Sequence, residues 1–148
     1  MTIMRLEKIK CPGCGEINEV KVWDSINAQV SPKAKDALLH GGIHVFTCAG
    51  CGKTNRIGNP LLYHDMQNRF LVYFFPFEQT KENNFYNQFL SDGRLDYTKS
   101  SEAPEDLDGY QRNVHIVFSM DELVRYIKFR ENLAKHKPDK STDRPIVK

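Results

Sequence analysis

No stretch of this chain is apolar for long. The longest run, Phe70 to Phe77, has eight residues and contains Pro76, too short and too interrupted for a membrane helix, which takes about 20 apolar residues. Charge of one sign is scarce as well. Lys and Arg number 21 against 19 Asp and Glu, a formal net charge of +2, whereas a nucleic-acid module usually gathers a larger basic excess on one face. The first ten residues carry Arg5, Glu7, Lys8 and Lys10 and no apolar segment of leader length, so a cytoplasmic setting is expected. No phosphate-binding glycine loop, metallohydrolase motif or nucleophile elbow occurs, which gives the expectation of a non-enzymatic protein. Cysteine is sparse, with four in 148 residues, and structural disulfides among them are not expected in a chain kept reduced, where adjacent knuckle cysteines would also be strained partners.

Apolar residues nevertheless make up 40% of the chain and charged residues 27%, a balance that excludes wholesale disorder. The length suits one domain with its own core. We expect that domain over residues 1–135, with a metal-bearing lobe over about 1–60 and a polar, fraying tail over 136–148. Residues 1–77 hold nine Lys/Arg against six Asp/Glu and residues 121–148 eight against five, but residues 91–110 hold two against six. This acidic stretch, rich in Ser, Gly and Pro, reads as a solvated loop.

Period-two alternation predicts strands over 4–10 and 17–23, the second with Val20 and Val22 on one face and Lys21 and Trp23 on the other. Ser31 as N-cap, Pro32 at the first helical position and Gly41-Gly42 beyond the end predict a short helix over 32–40. Further strands are expected over 43–47, 54–57, 61–64 and 70–75. The last of these is apolar on both faces, as in a central strand covered on both sides. Phe85, Tyr86, Phe89 and Leu90 would share one helical face within 80–90. Near the end, a strand over 113–118 puts Val114, Ile116 and Phe118 on one face and His115 on the other. Ser119 and Glu122 then have the spacing of a capping box, in which each side chain satisfies the other's free amide, ahead of a helix reaching about Lys135.

The cysteines carry the chemistry. Cys11-Pro12-Gly13-Cys14-Gly15 and Cys48-Ala49-Gly50-Cys51-Gly52 repeat one pattern. Two residues between ligands let one tight turn aim both sulfurs at one point, and four thiolates about 2.3 Å from a zinc ion complete a tetrahedral shell. Glycine after the second cysteine suits the turn because it takes positive φ without steric cost. Two such knuckles on strand ends are the signature of a zinc ribbon. The 33 residues from Gly15 to Thr47 exceed the usual gap, and the predicted helix accounts for the excess. A redox pair of the thioredoxin kind would open a helix after a strand, whereas both pairs here lead toward strands. Iron remains the alternative metal, since rubredoxin-like knuckles offer the same sulfur geometry.

Other residues have structural explanations beside functional ones. His40, His44, His64, His115 and His136 are scattered, and Tyr63-His64-Asp65 is as much a strand leading into a turn as an acid–base site. Lys53 and Arg56 could meet phosphate or keep a knuckle solvated. Trp23 would cap the ribbon or lie at an interface.

The motifs Cys11–Gly15, Val22-Trp23-Asp24-Ser25-Ile26-Asn27, Phe46-Thr47-Cys48 and Pro60-Leu61-Leu62-Tyr63-His64-Asp65, together with the strand-to-helix passage from Val114 to Phe129, resemble the CpXC family. The second knuckle departs from the family pattern, with Ala49 in place of proline. The resemblance implies four metal-binding cysteines and no particular activity. The reading is an α+β domain in which a zinc ribbon packs on a small antiparallel sheet with a C-terminal helix. Cys11, Cys14, Cys48 and Cys51 would hold one zinc ion, with protein as the expected partner and nucleic acid the weaker alternative.

Overall fold

The alternating positions at the start of the chain fold as a hairpin, β1 (Ile3–Lys10) antiparallel to β2 (Ile17–Asn27), with the first cysteine pair at its tip. The computed structural model describes residues 2–96 and 109–137. Most of the predicted acidic loop and nearly all of the predicted tail lie outside the described residues. Val20 and Val22 are buried and Lys21 exposed, as the alternation requires. Beyond them Ser25, Ile26 and Asn27 are all buried, because β2 there enters the centre of a sheet. Helix α1 (Pro32–Leu39) starts on Pro32, although the Ser31 hydroxyl makes no capping bond. It stops where Gly41 takes φ +77°. β3 (Val45–Thr47) and β4 (Thr54–Arg56) form a second, smaller hairpin with the other cysteine pair at its tip.

β5 (Leu61–Asp65), β6 (Phe70–Phe74), β7 (His115–Val117) and helix α2 (Met120–His136) complete the molecule. The main sheet has the order β1-β2-β5-β6-β7. It is mixed, which corrects the expected antiparallel sheet: β2 and β5 are parallel, as are β6 and β7. Parallel neighbours need a crossover of a dozen or more residues. The long connections between β2 and β5 and between β6 and β7 supply them.

Both helices lie on one face. Ala34 and Leu38 of α1 and Leu123 and Ile127 of α2 pack with Ile26, Leu61, Tyr63, Val72 and Phe74, and Lys35 pairs with Glu131 between the helices. β6 is buried on both sides as predicted. Its other face leads to Phe75, whose ring packs against Phe85 at 5.3 Å and Phe89 at 5.7 Å.

Residues 80–90 are not an α-helix. Two 3-10 segments, Phe77–Lys81 and Asn83–Gln88, are separated by the extended Glu82. The aromatic spacing serves to anchor individual rings on Phe75. β7 keeps its predicted alternation, with Ile116 and Phe118 together lining a cleft with Phe85 and Phe89 and Val117 on the opposite face in the helix-side core, but it is shorter than expected, spanning His115–Val117. At α2 the Glu122 amide donates to Ser119 Oγ at 3.1 Å as expected, but the Ser119 hydroxyl itself donates to the Glu122 carboxylate at 3.3 Å. The capping box is thus half formed.

Candidate metal centre

Each cysteine pair occupies a turn closed by the same two backbone bonds. Cys11 N donates to Glu16 O at 2.8 Å and Gly15 N to Cys11 O at 2.9 Å; Cys48 N donates to Lys53 O at 2.9 Å and Gly52 N to Cys48 O at 2.8 Å. Gly15 and Gly52 sit at φ +82° and +73°, the left-handed region that glycine reaches most cheaply. The middle glycines are close to the opposite turn. A Cβ on Gly50 would fall 3.1 Å from Glu16 Cβ and 3.4 Å from Cys14 Sγ, so a side chain there would fit only if Glu16 shifted.

That approach brings the four sulfurs together, all within 4.8 Å of one another. Cys11 Sγ and Cys51 Sγ are 3.8 Å apart, and Cys14 Sγ and Cys48 Sγ 3.5 Å. Four sulfurs around zinc at the usual bond length would be separated by about 3.8 Å. A disulfide would need about 2.05 Å, and all four cysteines are free. Cys11 and Cys48 are buried; Cys14 and Cys51 are exposed.

Hydrogen bonds tune the donor set. Asn18 Nδ2 and Gly50 N donate to Cys48 Sγ at 3.5 and 3.3 Å, and Asn55 Nδ2 donates to Cys11 Sγ at 3.7 Å. The Asn18 amide, with the backbone amides of Cys51 and Gly50, holds the Cys48 thiol down to about 6. Backbone amides of Cys14 and Gly13 lower Cys11 as well. At Cys14 the Glu16 amide also favours the thiolate, but the neighbouring Cys48 sulfur and burial outweigh it and push the group up to about 12. Four sulfurs this close resist full ionisation until a cation joins them, and a soft divalent metal is the cation that thiolates favour.

The remaining predicted sites are dispersed. Tyr63 and Asp65 are buried on one face of β5, while His64 points to the other and meets Tyr110 Oη at 2.8 Å. Asp65 accepts from Asn68 N at 2.9 Å, Asn68 Nδ2 at 3.0 Å and Gln29 Nε2 at 2.9 Å, which makes it the organiser of the β5–β6 turn. Lys53 and Arg56 are exposed. Trp23 is half-buried against the core. Its backbone N–H donates to His44 Nε2 at 3.0 Å and its carbonyl accepts from Asn59 at 3.2 Å. His44 is 3% exposed, stands at φ 59° and also anchors Ile57 through its carbonyl. It couples the small hairpin to the main sheet, a role its sequence context did not signal. Asn18 and Asn55 were missed too, although each stands seven residues after the first cysteine of its pair, an offset that a search for repeats would have found. No helix among the described residues is long and apolar enough to cross a membrane.

Fold and site together define an α+β protein with a candidate four-cysteine metal centre at the tips of two hairpins. The chain belongs to the CpXC protein family, whose model matches residues 9–135. Among curated proteins and among solved structures none matches significantly.

Proposed function

We propose that this protein is a structural metal-binding module that holds one zinc ion between Cys11, Cys14, Cys48 and Cys51, in a zinc ribbon with a helix inserted between its knuckles, and that it docks another protein without catalysing a reaction. The convergence of four sulfurs within 4.8 Å carries the metal reading. A sulfur-only set of four closes the tetrahedral shell and leaves no open position for substrate, which supports a structural role. The docking reading draws on Ile3, Met4, Leu6 and Ile17, 48%, 41%, 58% and 56% exposed, which put apolar surface along the β1–β2 hairpin where solvent alone gives it no use. The small net charge of +2 favours protein over nucleic acid.

Affinity capture from the native host, with wild-type and Leu6→Lys chains compared, tests the docking. A protein retained by the wild type and lost by the variant supports it. Recovery of nucleic acid whose retention falls steeply with salt contradicts it. Iron in the same sulfur set is the competing metal, and visible thiolate-to-iron absorption from the purified protein would turn the reading to an electron carrier.

A further inference from the structure

An eight-residue pattern surrounds the centre twice. Cys11-Pro12-Gly13-Cys14-Gly15-Glu16-Ile17-Asn18 and Cys48-Ala49-Gly50-Cys51-Gly52-Lys53-Thr54-Asn55 share cysteine, glycine and asparagine at the same offsets, and the hydrogen bonds repeat with them. Asn18 Nδ2 donates to Glu16 O at 3.3 Å within its own turn and to Cys48 Sγ at 3.5 Å in the other. Asn55 Nδ2 donates to Lys53 O at 3.2 Å in its own turn and to Cys11 Sγ at 3.7 Å in the other. Each asparagine therefore serves the first cysteine of the opposite knuckle, and these are the two buried sulfurs, 1% and 2% exposed. One bond breaks the symmetry. Ala49 N donates to Asn18 Oδ1 at 3.0 Å, while Pro12, its counterpart, has no N–H to give. Alanine at this position, where the family pattern has proline, thus supplies a bond that proline would abolish.

We propose that Asn18 and Asn55 are positioning residues that lock the two knuckles across the metal and screen Cys48 and Cys11, leaving Cys14 and Cys51 as the reactive outer face of the centre, where a soft carbon electrophile alkylates a ligand and sets the metal free. The inference rests on the metal reading above. N–H···S bonds to a thiolate draw off charge and fix its direction, and such outer contacts are worth about 10–100-fold in metal affinity. Cys14 and Cys51 are the exposed residues of the set, and among the described residues their sulfurs receive no side-chain amide. On attack a sulfur lone pair forms the new S–C bond, the leaving group departs with its bonding pair, and the neutral thioether that results gives up the metal.

The test uses the full chain loaded with one equivalent of zinc and treated with iodoacetamide, with released zinc read by a chromogenic chelator and labelled cysteines mapped by mass spectrometry. Label should appear first on Cys14 and Cys51. Asn18→Ala and Asn55→Ala should release zinc about tenfold faster and extend early labelling to Cys48 and Cys11 respectively. Asn55→Asp separates donation from packing. It keeps the side-chain shape but faces the sulfur with an anion, so release at least as fast as in Asn55→Ala supports the amide role, and a return to the wild-type rate overturns it. Because labelling order is read on the wild type, poor folding of a variant leaves the proposal exposed to refutation. First labelling at Cys11 or Cys48 in a zinc-loaded wild type overturns this inference alone, whereas a wild type that takes up no zinc overturns the metal reading with it.

Discussion

Cys48 shows what the centre asks of a single side chain. Its sulfur is nearly excluded from solvent, yet the Asn18 amide and the backbone amides of Cys51 and Gly50 lower its thiol to about 6, which favours the thiolate. Because binding requires thiolates, metal uptake releases protons and weakens as the pH falls. His44 gives a second acid response, with a sign that can be derived. Burial holds its imidazole below the usual histidine range, against the opposing pull of Trp23. As the pH falls through about 6.5, the unfolded chain takes up a proton that folded His44 declines, so the unfolded state binds more protons and stability drops. His64 and His115 shift the same way through burial. We expect urea unfolding to show stability falling from pH 7 to pH 5.5. His44→Asn, which tolerates the left-handed φ of 59° better than most residues, should reduce that slope by up to about 1.4 kcal/mol per pH unit. An unchanged slope would remove His44 from the account.

Among the elements, α2 owes its start to one oxygen. Ser119 Oγ accepts from the Glu122 amide, and Asp121 and Glu122 add negative charge to the first turn, with Lys135 and His136 in the last, the arrangement that suits the helix dipole. Ser119→Ala should cost about 1 kcal/mol, measurable as a lower denaturant midpoint at constant slope. The β3–β4 hairpin depends on contacts outside itself, among them the bond from Trp23 N to His44. Its strands are three residues each, below the length at which a hairpin stands alone, and its tip is held by the sulfur centre. Removing metal with a chelator under reducing conditions should abolish hydrogen-exchange protection in Val45–Thr47 and Thr54–Arg56, while Phe70–Phe74 and the middle of α2 keep theirs. Equal loss in both regions would mean that the sheet and the centre fold as one unit.

Over the whole molecule, two hairpins present their tips to a shared point, and the rest of the sheet and both helices hold those hairpins in place. The tips were legible in the sequence because Cys-x-x-Cys-Gly spacing is a chemical requirement with few other uses. The helix begun by Ser119 was legible for a similar reason, since a cap and an apolar period agree there. Strand direction was not. Alternation in Leu61–Asp65 says which residues face the core and nothing of whether β2 beside it runs the same way. Phe85 and Phe89 have helical spacing, but each is fixed by its own contact with Phe75, so periodicity misled. Asn18 and Asn55 escaped notice because asparagine near a turn is ordinary, and only the folded distances show that each serves the other's knuckle. A structural zinc contributes about 10–16 kcal/mol in isolated peptides, comparable with a domain's whole stability of about 5–15 kcal/mol, so the metal is the claim to test first. Elemental analysis of protein purified under reducing conditions should find one zinc per chain, and less than about a tenth of that in Cys48→Ser, given that three remaining sulfurs no longer close the shell. A wild-type chain free of bound metal, with all four thiols titrating at once, would contradict the account.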